Sequence, residues 1–245
     1  MITLLKKIRK SLLNSVGFKK YVFYALGEIL LVMIGILLAL QVNNWNENRK
    51  LRKKEHTLLT QLHDEFLENK KQLKTVSQMH QRGLDYCIKM INLFPIDPQN
   101  VDLDSIYSFL YHNAILSEWT FTPSNATVSA LSSNGSFDII SDPVLRNKMM
   151  MWNSALNDYL EDQSIAMWYL NNELNPYIGK RVSNGPMGMK DIRLNLDFLK
   201  TPEFENMIYG RAHHFKTLLS KEPYYPEHKN LVNMINDIVE LTEQT

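Results

Sequence analysis

The residues with suitable chemistry for a metal site are seven histidines, one cysteine and many carboxylates, and their spacing matches no common site. No histidine has a glutamate three residues before it, as a di-iron helical bundle requires. The adjacent His213 and His214 diverge by about 100° on a helix, so they do not easily share an ion. His56 and His63 lie two helical turns apart, which is too far for one ion and favours a solvated face. The sequence therefore predicts no metal site.

Motifs for nucleophiles and phosphate binding are also missing from the sequence. It has no Gly-x-Ser-x-Gly elbow, no P-loop and no Gly-x-Gly-x-x-Gly turn. The single cysteine, Cys87, lies on the apolar face of a predicted helix, where a small buried hydrophobe is more common than a reactive thiol. We therefore predict no catalytic residue and no cofactor, and the sequence does not favour an enzyme.

A stretch rich in methionine and aromatic residues allows two interpretations. Methionine-rich helices can form adaptable binding grooves. The same spacing is more common in a helical core, and we expect a core here. The stretch contains Met149, Met150, Met151, Trp152, Tyr159, Met167, Trp168 and Tyr169.

Glu28 is the most unusual ionisable residue, because it is the only charge in an apolar run from Tyr21 to Val42. A helix of this length spans about 33 Å, roughly the hydrocarbon thickness of a bilayer. The run is too long for a cleaved signal peptide, and no small-x-small cleavage site follows it. We predict one transmembrane helix over residues 21–42, with the lipid bilayer as a partner.

Small residues share one face of this predicted helix with Glu28. At 100° per residue, Gly35 and Ala39 lie within about 20° of Glu28, and Ala25 begins the same stripe. Small residues four apart let two helix backbones approach closely. We therefore predict that Ala25, Glu28, Gly35 and Ala39 contact another transmembrane helix, from a second copy or a different membrane protein. The alternatives are that Glu28 snorkels to pair with the lysines before the run, or that it handles protons or ions.

Charge is divided unequally along the chain. Residues 1–54 carry eleven basic and two acidic residues, a net charge of +9, whereas residues 55–245 carry 16 basic and 24 acidic residues, a net charge of −8. Basic residues beside the run suit anionic headgroups, and the acidic remainder argues against nucleic-acid binding. Lys19 and Lys20 abut the start of the run, so we predict a cytoplasmic N-terminus and a large domain outside the cytoplasm.

The regions on either side of the apolar run have different patterns. Residues 1–20 form a basic amphipathic tail, predicted to lie on the membrane surface or to dock a cytoplasmic partner. Residues 43–245 are predicted to form a helical bundle domain. Apolar residues recur at helical spacing from Glu55 to Leu93, and no proline or glycine interrupts residues 43–80. We therefore expect the transmembrane helix to continue into this long helix.

The rest of the chain predicts shorter helices and no strand, so the fold class is all-α, an antiparallel extramembrane bundle with one N-terminal transmembrane helix. Helix start and stop signals set the boundaries. The predicted helices lie around 103–116, from Thr122-Pro123 to Asn134-Gly135, from Ser141-Asp142-Pro143 to Gly179, from Thr201-Pro202 to about Lys221, and around 231–241.

Two groups of motifs carry a resemblance to a known family. The first group lies in residues 1–55: Lys7-Ile8-Arg9-Lys10, Tyr24-Ala25-Leu26-Gly27-Glu28-Ile29, Ile34-Gly35-Ile36-Leu37 and Asn43-Asn44-Trp45-Asn46-Glu47. The second and weaker group lies in residues 121–148: Phe121-Thr122-Pro123-Ser124, Leu131-Ser132-Ser133-Asn134-Gly135 and Leu145-Arg146-Asn147-Lys148. These motifs resemble an uncharacterised single-span membrane protein family common in Bacteroidota. The resemblance implies a bacterial inner-membrane location and adds no catalytic residue. With the orientation predicted above, the C-terminal domain is then expected in the periplasm.

Three functional hypotheses follow from the sequence. The leading one is a non-enzymatic interaction or scaffold protein of the bacterial envelope, anchored by residues 21–42. The second is a sensor-like module that signals through the transmembrane helix, for which the short tail would need a separate output protein. The third is an enzyme with an unfamiliar site, which a deep pocket with converging histidines or carboxylates would support.

Overall fold

The protein is described by a computed structural model, in which helices and no strands occur among the described residues. The chain divides into two compact units, Met1–Lys54 and Glu55–Thr245. The all-helical fold class is therefore confirmed. Predictions for residues 1–15 of the basic tail lie outside the described part of the chain, which comprises residues 16–112, 115–183, 185, 187–191 and 193–243.

The first helix, α1, extends from Val16 to Ile91, so the predicted continuation of the apolar helix is present. In the part of α1 that belongs to the first unit, the side chain of every residue from Leu26 to Lys54 is exposed. Among the described residues, α1 is the one helix that is long and apolar enough to cross a membrane, judged by its length and composition. None of the apolar side chains in this segment is buried within the chain, so the fold of a single copy does not use them.

The second unit begins with the part of α1 from Glu55 onward and continues through a series of shorter helices. A π-helical turn, Leu170–Leu174, joins two of them, and short 3₁₀ turns occupy Phe137–Ile139, Gly188–Lys190 and Leu196–Lys200. The remaining α-helices are α2 (Leu103–Tyr111), α3 (Ala126–Asn134), α4 (Pro143–Tyr169), α5 (Asn175–Gly179), α6 (Pro202–Leu218) and α7 (Glu227–Glu243).

Local capping chemistry explains the helix ends that the sequence predicts correctly. The Asp142 side chain accepts hydrogen bonds from the backbone N–H groups of Val144 and Leu145, and Pro143 occupies the first turn of α4. Thr201 caps α6 in the same way by accepting from the Phe204 N–H. Gly135 ends α3 in the left-handed region, with φ of 61°, where glycine is favoured.

The predicted start of α3 at Thr122-Pro123 is wrong, because side chains from other helices hold the preceding residues in a non-helical conformation. Asn69 of α1 pairs with the backbone N–H and carbonyl of Ser124, at 2.9 and 2.8 Å. The Glu65 carboxylate then accepts from the Ala126 and Thr127 N–H groups, so the cap of α3 comes from α1. α2 also ends at Tyr111 rather than near residue 116.

Helix directions within the second unit are mixed. The pairs Glu55 with Ser141 and Phe66 with Trp152 show that α1 and α4 run parallel. The long connection over residues 92–142 permits this arrangement. By contrast, α7 runs antiparallel to α1, since His63 contacts Thr242 whereas Ser77 contacts His228 further along α1. The antiparallel packing predicted for the bundle thus applies to α7 against α1 and α4, and not to α1 against α4.

Two apolar clusters form the core of the second unit. The first joins α1, α3, α4 and α7, and the rings of Phe66 and Trp152 meet edge-to-face there with centroids 4.6 Å apart. The second joins the end of α1 to α2, the π-helical turn Leu170–Leu174, α5 and α6. Gly83 permits close packing in the second cluster, because a Cβ atom at this position would overlap the Phe215 ring.

Candidate functional site

The four residues predicted to form a transmembrane interface all lie on α1. Glu28, Gly35 and Ala39 are exposed, and Ala25 is half-buried. A Cβ atom added at Gly35 would meet nothing within 4 Å, so that position is open in a single chain. Helical geometry places the four residues along one side, as the spacing predicts.

A cavity of about 540 Å³ lies in the second unit between α1 and α7. Leu73, Leu219 and Val232 provide its apolar surface, and Ser77 and His228 contact each other in its wall. This volume lies within the range of small-molecule pockets, and an apolar wall with a few polar groups is the usual lining of such sites. The lining residues are Lys70, Leu73, Lys74, Ser77, Gln78, Gln81, Leu219, His228, Val232 and Asn236.

Ser77 and His228 form the most suggestive contact for catalysis in this pocket, with Oγ and Nε2 2.7 Å apart. The Ser77 hydroxyl also donates to the Leu73 carbonyl oxygen at 2.7 Å, which uses its only hydrogen. With both contacts of Ser77 made as hydrogen bonds, Nε2 of His228 carries the proton and donates to Ser77, which is the wrong tautomer for a general base. The pair therefore orders the pocket wall and does not activate a serine nucleophile.

Burial lowers the pKa of His228, so its ring is neutral near pH 7. On its other side the ring lies against Tyr159, with centroids 6.0 Å apart. Beyond it, Asp162 and Glu227 each have one buried carboxylate oxygen that accepts no hydrogen bond from the described residues. Burial, followed by the negative charge of Glu227, raises the pKa of Asp162 to about 6. The carboxylates of Asp162 and Glu227 therefore lack hydrogen-bond partners for one oxygen each among the described residues, but neither residue lines the cavity.

Arg211 is the most deeply buried charge in the second unit, at 2% exposure. Its guanidinium donates to the carbonyl oxygens of Ile115 and Ser117 at 3.0 Å, and to that of Ala166 at 3.4 Å. It also covers the Phe215 ring, 4.1 Å from the centroid. No carboxylate lies within 4.0 Å of it among the described residues. Arg211 thus fixes the loop after α2 onto α4 and α6.

Two titratable groups beside Arg211 are held uncharged. Burial raises the pKa of the Cys87 thiol to about 12, and the side chain is fully buried, as expected for a small core residue. Burial and the nearby Arg211 charge lower the pKa of His80 to about 4. The His80 Nε2–H donates to the Trp119 carbonyl at 2.8 Å. A neutral thiol and a neutral imidazole here are packing groups and not reactive ones.

Several predictions about individual residues can be compared with the structure. His56 is exposed, but His63 is half-buried, with Nδ1 3.1 Å from Thr242 Oγ1, so the second of these does not lie on a solvated face. The methionine and aromatic stretch is divided: Met149, Trp152 and Tyr159 are buried, whereas other members are exposed. The exposed members are Met150, Met151 and Trp168. Within the described part of the chain, no group of three histidine, cysteine or acidic side chains is placed to hold a metal ion.

Sequence reasoning did not find the pocket or the buried arginine. Ser77 and His228 are 151 residues apart, so no local motif can reveal their contact. The only sequence signal for Arg211 is a basic residue on the otherwise apolar side of a helix that carries Phe204, Ile208 and Phe215.

Comparison with known proteins identifies a family for this chain. The chain matches a family of unknown function, DUF6090, over residues 28–151, which is about half of its length. No curated protein and no solved structure matches it. The matched region begins at Glu28 and includes the α1 side of the pocket, but ends in α4 before His228. The chain belongs to the DUF6090 family, a family of unknown function.

Proposed function

We propose that this protein is a non-enzymatic binding protein anchored in the bacterial inner membrane by residues 21–42. The observation that carries the proposal is the helix from Leu26 to Val42, whose large apolar side chains are exposed in a single chain. Exposed apolar area of this extent needs a covering partner, and a bilayer suits its length. A helix also satisfies its own backbone hydrogen bonds, as a lipid environment requires.

The distribution of basic residues supports one orientation. Lys19 and Lys20 lie next to the apolar segment, whereas the first basic residue beyond it is Arg49. Positive residues close to a span favour the cytoplasmic side. We therefore propose a cytoplasmic tail over residues 1–20, a span over 21–42 and a periplasmic domain over 43–245.

Reporter fusions test the anchor and its orientation together. Alkaline phosphatase fused after Thr245 is expected to be active, because it folds only after export, and a fluorescent protein at the same position is expected to be dark. The same fusions on a chain lacking residues 21–42 provide the control. In that chain the alkaline phosphatase should be inactive and the fluorescent protein should fluoresce. A fluorescent C-terminal fusion to the full chain would contradict the proposed orientation.

We also propose that α1 contacts another transmembrane helix through Ala25, Glu28, Gly35 and Ala39. A carboxylate at the depth of Glu28 is costly in lipid without a polar partner or water, and the open position at Gly35 allows close approach. A homo-oligomer or a complex with a different membrane protein would each supply such a helix.

Crosslinking in membranes tests this interface. A cysteine replacing Ala39 is expected to give disulfide-linked dimers or a crosslinked partner, because it lies on the proposed face. Adding Glu28→Gln and Gly35→Leu should reduce the yield several-fold by removing the polar contact and blocking close approach. Gly27→Leu is the matched control, since Gly27 is also open but is turned about 100° from Glu28. Equal yields in all three chains would contradict the interface.

The pocket of the second unit supports a binding role over catalysis, because Ser77 is not activated by His228. Signal transmission remains the second candidate, since α1 carries both the apolar segment and the pocket residues from Lys70 to Gln81. A ligand that occupied the pocket and changed the crosslinking yield at Ala39 would favour signalling over a scaffold role.

A further inference from the structure

The pocket between α1 and α7 combines an apolar surface with one sign of charge. None of its lining residues is acidic, although the second unit carries an excess of acidic residues. Lys70 and Lys74 are one helical turn apart and therefore lie on the same side of α1, at the edge of the cavity. Such a lining favours a ligand that is apolar along most of its length and negative at one end.

The two lysines are available for an anionic ligand. Among the described residues, no carboxylate lies within 4.0 Å of either ammonium group, in contrast to Lys71, which pairs with Glu68 at 3.3 Å. Both pocket lysines are exposed, so their ammonium groups can reach a ligand without breaking an existing ion pair. Lysine stems also cover apolar surface while the charged ends remain in water.

The polar groups of the wall fit the same ligand. His228 contacts Ser77 through Nε2, so this nitrogen is not available to a ligand, and the imidazole adds no negative charge to the cavity. Gln78, Gln81 and Asn236 contribute neutral amides, which can donate to a carboxylate oxygen. Leu73, Leu219 and Val232 contribute apolar lining on which a hydrocarbon chain can lie.

We propose that this pocket binds a free single-chain amphipathic carboxylate of the fatty-acid class. Its carboxylate lies between Lys70 and Lys74, and its chain packs on Leu73, Leu219 and Val232. The inference rests on the binding role proposed above but not on the membrane anchor. A protein that is confirmed in the membrane and still fails to bind the carboxylate would overturn the ligand class alone.

Photolabelling of the full chain tests the proposal. The protein is placed in nanodiscs of zwitterionic phosphatidylcholine and exposed to hexadecanoate carrying a diazirine, or to the alcohol with the same chain. Labelled peptides are expected to map to residues 70–81 and 228–236. Because each exposed ion pair changes affinity by up to about fivefold, the carboxylate should label about tenfold more efficiently than the alcohol at equal concentration.

Matched variants distinguish the proposal from nonspecific labelling. Lys70→Gln combined with Lys74→Gln should reduce carboxylate labelling to the level of the alcohol, whereas Lys71→Gln should leave it unchanged. Val232→Phe should reduce labelling by both probes, because the larger ring covers part of the apolar surface, with helical content checked by circular dichroism. Equal labelling of the native chain by the carboxylate and the alcohol would overturn the proposal. So would a loss of carboxylate labelling in the Lys71→Gln chain as large as that in the chain with Lys70→Gln and Lys74→Gln. Loss of labelling in nanodiscs of anionic phosphatidylglycerol would also overturn it, because the occupant would then be a bilayer lipid.

Discussion

Replacing Arg211 with alanine is expected to lower the free energy of unfolding by about 3–5 kcal/mol. The guanidinium is the hydrogen-bond donor for the carbonyls of Ile115 and Ser117 in the loop after α2, and for Ala166 in α4. Each buried acceptor left without a donor loses about 1–3 kcal/mol. The substitution also removes the contact of the guanidinium with Phe215, so the packing of the second core cluster loosens with the loop.

Further substitutions separate hydrogen bonding from side-chain volume. Arg211→Met retains most of the volume but none of the donors, so it should be almost as destabilising as alanine. The free energy of unfolding of the Arg211→Lys chain should lie between those of these two variants and the native chain, because one ammonium group cannot reach all three carbonyls. Arg82→Ala, at an exposed position on α1, is the control. Urea unfolding of the full chain in mild detergent, followed by circular dichroism, measures these differences. Native stability of the Arg211→Met chain would contradict this role.

The helices with strong local signals could be predicted because their determinants are close in sequence. Leu59, Leu62 and Phe66 recur at helical spacing, and all three are buried on α1. Asp142 and Thr201 carry their capping chemistry within three residues of the helices they begin. Such positions need no information from elsewhere in the chain.

The start of α3 could not be predicted for the opposite reason. Thr122-Pro123 has the local pattern of a helix start, but Glu65 caps the helix from a position about 60 residues earlier. Asn69 and Gln163 also bond the backbone of the preceding residues, which compensates for the missing helical turn. Tertiary hydrogen bonds therefore override the local signal at this position.

The candidate pocket could not be predicted from the sequence, because its walls come from helices that are far apart along the chain. Lys70 and Lys74 resemble ordinary solvated lysines in a charged helix. They become informative only when α7 brings Val232 and His228 to the same cavity. By contrast, the four residues of the proposed transmembrane face follow from helical geometry alone, and their partner stays a prediction.

Two arginines in the apolar segment of α1 are expected to abolish membrane retention. Leu30 and Leu37 are exposed and lie seven residues apart, on the side of the helix opposite Glu28. Replacing both with arginine should raise the free energy of insertion by about 5 kcal/mol, since a charged side chain near the centre of a span is strongly unfavourable. The substitutions leave the proposed interface untouched, so their effect reports on the lipid-facing side.

A matched control distinguishes loss of the span from a general effect of added charge. Leu51→Arg places the same charge on the same helix at another exposed position, beyond the apolar segment. This chain should behave like the native protein. Release of the Leu51→Arg chain together with the double variant would show that membrane retention does not depend on residues 21–42.

The membrane anchor is tested most directly by extracting native membranes at alkaline pH and then floating the extracted membranes through a density gradient. Flotation separates membrane-inserted protein from aggregates, which sediment. The proposed span predicts that nearly all of the native chain floats with lipid, and that the chain with Leu30→Arg and Leu37→Arg does not. Recovery of the native chain in the soluble fraction after extraction would contradict the span.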